Sequence, residues 1–433
     1  PGDAVAWRKR GALRALRGEF EAARADLDRA LALEPDAPDA LSSRGGVRLT
    51  LGDVPGALAD LDRAVALDPG EPTTVLNRAL ARRDAGDLRG ALADLDRAVA
   101  LAPTQAPLFA NRALVRTNLG DHAGALEDAD RAVALDPQRA FSRRIRGVVR
   151  TALHDAQGAL ADLDASIELS PRTPESYERR AFVRSELLGD VAGAIADLDR
   201  ALGLAPDAAL TLRNRGALRL RLRDARGALE DLDRAIARAP DAVLALADRG
   251  AARLELGDLV GAAIDLDAAL ALRPDAPVTL LNRGVVRNRL GDHVGARADL
   301  DRALELAPDV GAGHLQRGIA RGQLGDTAGA LADFERAIEL LPDDPQASYN
   351  RAVARFQLND IEGAVVDLDR ALGLEPRHTD ARFLRGAARS RLGDRERAIA
   401  DLEEALRQAP DAAWSTQAEG LLAAARRAGI RPQ

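Results

Sequence analysis

Arginine and aspartate supply most of the chemistry this sequence could perform, and they recur at fixed intervals. Arg10 and Arg14 stand four residues apart with Asp26 beyond them; Arg44, Arg48 and Asp60 repeat the set, as do Arg351, Arg355 and Asp367, and finally Arg385, Arg389 and Asp401. Two guanidinium groups one helical turn apart can hold a phosphate or carboxylate, so the series could be a ladder for anionic ligands. Each arginine pair has its own aspartate, however, and a free anion site would leave the arginines without carboxylates. The preferred reading is a structural contact between two helices, repeated along the chain.

No other side chains gather into a reactive set. The five histidines, His122, His154, His293, His314 and His378, show no i, i+4 pair of the kind that binds a metal from one helix face. They read as packed or capping residues. The Asp-Leu-Asp triplet occurs again and again, whereas a catalytic carboxylate pair is expected once, in a unique setting. Phosphate-loop, nucleophile-elbow and dinucleotide motifs are absent from the sequence. The expectation is a protein with no catalytic residues, no cofactor and no metal.

Composition narrows the class of partner. The net charge is −7, and acidic and basic residues alternate instead of forming blocks, which argues against a nucleic-acid surface. No apolar run approaches the roughly 18 residues of a membrane span, and no signal or transit peptide opens the chain, so a cytoplasmic protein without membrane insertion is expected. With no cysteine, disulfides and thiolate chemistry are excluded. Lys9 is the sole lysine among 61 basic residues, a bias read as that of a GC-rich bacterial genome. Methionine is missing even at position 1, and the chain is read as a piece of something longer.

The elements that must position the charges follow from the period. Pro35, Pro69, Pro103, Pro137 and Pro171 are 34 residues apart; Pro206 follows after 35; and Pro240 to Pro410 resume the spacing of 34. Twelve units result: 4–37, 38–71, 72–105, 106–139, 140–173, 174–208, 209–242, 243–276, 277–310, 311–344, 345–378 and 379–412, with a stub at 1–3 and a capping helix and tail at 413–433. In the second unit, Ala57, Leu58, Leu61, Ala64 and Val65 make an apolar helical stripe. Before this helix stands Gly52-Asp53, where Gly can take the left-handed conformation and Asp can cap the next helix. His154, Arg223 and Asn359 replace that Gly in three units, and His and Arg there predict weak turns. The extra residue near Ser185-Glu186-Leu187-Leu188 predicts a lengthened or bulged first helix in the sixth unit.

The pattern of Trp7, Gly11, Gly18, Ala23, Leu27, Ala30 and Pro35, repeated in register, resembles the tetratricopeptide repeat family. The resemblance implies an all-α, right-handed superhelical solenoid of helix–turn–helix repeats, with the first helix of each unit along a concave surface. It also implies that the second, fifth, sixth, ninth, twelfth and thirteenth positions face a ligand. At the sixth stand Asn77, Asn111, Asn214, Asn282 and Asn350, whose amides could bind an extended backbone. A polar rim adds Arg221, Arg289, Gln323, Gln357 and Arg391, beside Phe356. The function implied is a passive scaffold that binds an extended or helical segment of a partner protein. The alternative is the recruiting arm of a larger bacterial enzyme or signalling protein whose catalytic domain lies outside this chain. A last helix over residues 413–428 is expected to cover the final unit.

Overall fold

In a computed structural model, which describes residues 3–427, the chain consists of 25 α-helices and one short π-helical turn, with no strand among the described residues. The chain divides between Leu218 and Arg219 into two halves. The N-terminal half contains six helix pairs, from Ala4–Leu16 with Phe20–Leu33 to Pro174–Phe182 with Val191–Leu204. The C-terminal half contains helix Ala225–Arg238, five pairs from Val243–Leu256 with Leu259–Leu272 to Thr379–Arg391 with Arg395–Gln408, and the terminal helix Ser415–Arg427. Helix Ala209–Arg221 carries the division.

Each pair is built by the same local chemistry. Proline opens several first helices, as Pro38, Pro72 and Pro345 do, at positions whose N–H has no helical partner to lose. The turn reverses the chain through a residue with positive φ. Nine of these are Gly, and the three that are not are His154, Arg223 and Asn359, at φ 58°, 62° and 65°. The next Asp then caps the second helix: Asp53 Oδ1 accepts the Gly56 N–H at 2.9 Å, and the same bond recurs at Asp258 and Gly261.

The two helices of a pair meet through a small residue and a leucine. A Cβ added to Gly45 would stand 2.6 Å from Leu61 Cγ, and one added to Gly284 would stand 2.7 Å from Leu300 Cγ. Leu61, Leu95, Leu163, Leu266, Leu300, Leu368 and Leu402 are fully buried at this contact. The core is therefore a row of small clusters, each shared by neighbouring helices, which is the construction of an all-α helical repeat solenoid.

Two irregularities interrupt the row. The residue added in the sixth unit is absorbed as a π turn over Val183–Leu187, directly after helix Pro174–Phe182. At the C-terminus, the last helix begins at Ser415, not at Ala413. Trp414 stays in the turn, stacked on Phe383 with ring centroids 4.7 Å apart, while its indole N–H donates to Asp380. Ala418 and Leu422 bury themselves against Leu402. Ala428, which the sequence reading includes in that helix, lies outside the described residues.

Candidate functional site

The arginine ladder faces inward. Asp265, on the second helix of its pair, is 2% exposed and accepts a bidentate bond from Arg249, Nε to Oδ2 at 2.9 Å and Nη2 to Oδ1 at 2.6 Å. Arg253, one turn along the same first helix, donates Nη1 to Oδ2 at 2.8 Å and to the Gly261 carbonyl at 3.2 Å. The arrangement repeats around Asp60, Asp94, Asp162, Asp299 and Asp401. Around Asp197 the arginines are 17 and 13 residues away instead of 16 and 12, so the π turn adds a residue without breaking the contact. The bonds to Asp265 hold the Arg249 guanidinium above its ordinary range, and those to Asp94 do the same for Arg78. Both arginines are committed as cations within the fold.

A second carboxylate series links consecutive pairs, and the sequence reading overlooked it. Arg249 Nη1 reaches back to Asp233 at 2.8 Å, Arg283 to Asp267 at 2.7 Å, and Arg385 to Asp369 at 2.7 Å. In the N-terminal half Arg44 does so to Asp28 and Arg146 to Asp130. The Asp-Leu-Asp triplet therefore has two tasks: its first aspartate closes its own pair and its second ties that pair to the next. Glu403 holds the corresponding place before the terminal helix and pairs with Arg426 at 2.5 Å. A signal existed, since the second acidic residue of the triplet is Asp or Glu in every unit.

The variable residues have a different environment. In the N-terminal half, Asn77 and Asn214 are half-buried, with Asn214 accepting from Arg213. Asn111 is buried, and its amide donates to the Pro107 carbonyl of its own helix at 2.8 Å. In the C-terminal half, Asn282 is half-buried, and Asn350 donates to its own helix at Gln346. Arg221, Arg289, Gln323, Gln357 and Arg391 are exposed. Arg391 stands 4.9 Å above the ring of half-buried Phe356. Among the described residues no group of three or more histidines or carboxylates is placed to hold a metal ion. His314 Nε2 donates to the Pro308 carbonyl at 2.8 Å, its Nδ1 stands 3.3 Å from Asp333 Oδ1, and the His378 ring accepts an N–H at the start of the next helix.

Sequence profiles of the tetratricopeptide repeat match residues 11–72, 76–140, 213–277, 315–372 and 360–413, and a second profile of the same repeat matches 275–341. The chain belongs to the tetratricopeptide repeat family. No curated protein sequence matches it. Among solved structures, the APC/C hetero-tetramer Cut9–Hcn1 aligns over 98% of this chain and 95% of its own, at 15% identity and a TM-score of 0.53. Yeast Tom70 aligns over 98% and 96% at 16% identity with a TM-score of 0.37. A tetratricopeptide repeat protein of Parabacteroides merdae covers 58% of this chain and 98% of its own at 21% identity, with a TM-score of 0.42. Identities this low show the fold alone, and the TM-score of the first carries that likeness.

The tetratricopeptide repeats here form a scaffold of the kind typical of protein–protein interaction. No described helix is long and apolar enough to cross a membrane.

Proposed function

We propose that this tetratricopeptide repeat protein is a non-enzymatic scaffold that holds an extended or helical segment of a partner protein against the faces of its first helices. The observation that supports this most is the direction of the charge ladder. Because the repeated arginines are spent on aspartates that solvent hardly reaches, the residues left to meet a partner are those that vary from unit to unit. In the C-terminal half these include Asn282, Arg289, Gln323, Gln357 and Arg391, a polar strip of basic bias suited to a segment with acidic residues. In the N-terminal half Asn77, Asn111 and Asn214 belong to the same reading. The unit boundaries taken from the prolines, 4–37 through 379–412, are part of it. Carboxylates neutralise the ladder, so the partner is a protein and not a nucleic acid.

The test compares two variants. Asn282→Ala should leave the midpoint of chemical denaturation almost unchanged and weaken peptides selected from a displayed library against the parent protein. Asp265→Ala should lose about 3–5 kcal/mol of local stability, because two partly buried cations lose a shared carboxylate. A stable Asp265→Ala protein that gains affinity for anionic peptides would show that the arginines face ligand and that the aspartate merely competes for them.

A further inference from the structure

Three departures from the repeat gather at one place in the N-terminal half. His154 is a side chain forced into the left-handed conformation, at φ 58°. The π turn Val183–Leu187 is the single π segment among the described residues, and such turns often mark functional sites. Phe182, immediately before it, is 54% exposed, whereas the residues at the same place in neighbouring units, Leu114 and Val148, are half-buried. All three border a cleft of about 550 Å³, within the size range of ligand pockets.

The lining decides what could enter. Phe182, Val148, Leu187 and Ala152 make an apolar floor. Thr117 and Thr151 hydroxyls donate to the Ala113 and Gly147 carbonyls of their own helices, at 2.8 and 2.7 Å, so neither leaves an unsatisfied donor in the lining. On the rim, Glu186 is already engaged with another residue. Arg179 is exposed and makes no ion pair among the described residues. The cleft thus offers an apolar bed, a stacking ring and a guanidinium that no ion pair occupies among the described residues.

We propose that the cleft framed by Val148, Thr151, His154, Arg179, Phe182 and Leu187 captures an aromatic side chain of a partner protein segment, with a carboxylate beside that side chain pairing with Arg179. Stacking on Phe182 removes an exposed ring from water, and aromatic anchors of this kind carry much of the energy of protein interfaces. The guanidinium, one turn before Phe182 on the same helix, selects an acidic neighbour over a basic one. The inference rests on the scaffold reading and adds the position and chemistry of one anchor.

Capped dipeptides added to the full chain test it, with saturation-transfer NMR as the readout. N-acetyl-Asp-Phe-amide should receive saturation on its ring protons. N-acetyl-Lys-Phe-amide should bind at least about threefold more weakly, and N-acetyl-Asp-Ala-amide should give no signal. Phe182→Ala should abolish the ring signal, and Arg179→Gln should bring the Asp and Lys peptides to equal affinity. Both side chains are exposed, so both variants should keep the parent circular dichroism spectrum. Absence of ring saturation, persistence of it in Phe182→Ala, or equal or tighter binding of the Lys peptide by the parent would overturn the proposal. If the Asn282-sensitive library peptides still bind in that case, the cleft assignment fails and the scaffold reading stands; if neither class binds, both fail.

Discussion

Asp26 accepts three charge-assisted hydrogen bonds, from Arg10 Nε and Nη2 at 2.6 and 2.7 Å and from Arg14 Nη1 at 2.7 Å, in a place that solvent does not reach. Burial alone would raise its pKa, since a dry carboxylate is costly; the bond from Arg10 outweighs this and holds the group below the ordinary aspartate range. The folded state therefore binds this proton more weakly than the unfolded chain does. The contribution of Asp26 to stability is fully present above about pH 3.9, the value of an unperturbed aspartate, and is lost as pH falls through the lower folded-state value. Carboxyl-carbon NMR during acid titration should place the Asp26 midpoint below about 3.9. Asp26→Asn should flatten the acid dependence of unfolding in the first helix pair. A midpoint above that value would mean that desolvation wins and that the arginines contribute less than their geometry suggests.

At the scale of the helix pair, the turn is where sequence and backbone disagree. Gly52 and Gly291 occupy the left-handed region at φ 82° and 85° without strain, but Arg223 holds φ 62° with a Cβ present, at a cost of about 1–2 kcal/mol. Its ion pair with Glu255, at 3.3 Å, compensates little because the Arg223 side chain is 85% exposed. Arg223→Gly should raise the stability of its pair by about 0.5–1 kcal/mol after the added freedom of the unfolded chain is subtracted. Asn359→Gly should change it by much less, because Asn tolerates that conformation. Urea denaturation of the two variants decides the matter, and a loss of stability in Arg223→Gly would show that its side chain does more than its one exposed contact. These turns, the helix pairs and the site of the inserted residue were legible in the sequence because each is local: a glycine replaced, a proline interval, a leucine repeated. The link between pairs was not. Arg44 stands 16 residues from Asp28 and 16 from Asp60, so spacing cannot say which carboxylate is buried beside it and which bridges to the previous pair. Nor does residue type reveal that the Asn111 amide turns back to its own helix, since that depends on a side-chain rotamer. The exposure of Phe182, directly before the π turn, is likewise a matter of three-dimensional packing that the extra residue does not describe.

Over many repeats, stability is a sum of terms within each pair and terms between neighbours, and the two aspartates of the triplet belong to different terms. In the C-terminal half, Asp265 closes one pair, while Asp267, Asp301, Glu335 and Asp369 reach Arg283, Arg317, Arg351 and Arg385 of the following pairs at 2.7, 3.0, 4.0 and 2.7 Å. The bridging carboxylates are 41–57% exposed, so each contributes no more than about 1 kcal/mol. Their combined effect is on coupling. Asp265→Ala should weaken one pair, and hydrogen exchange should accelerate there and in the adjoining pairs while distant ones stay protected. The fourfold variant Asp267→Ala, Asp301→Ala, Glu335→Ala and Asp369→Ala should leave each pair nearly as stable as before but let the pairs unfold more independently. Its urea transition should broaden, with a smaller apparent dependence on denaturant, and the midpoint should move less than the breadth. If that variant unfolds as sharply as the parent at a lower midpoint, the second aspartates stabilise their own pairs, and cooperation between repeats resides in the apolar contacts alone.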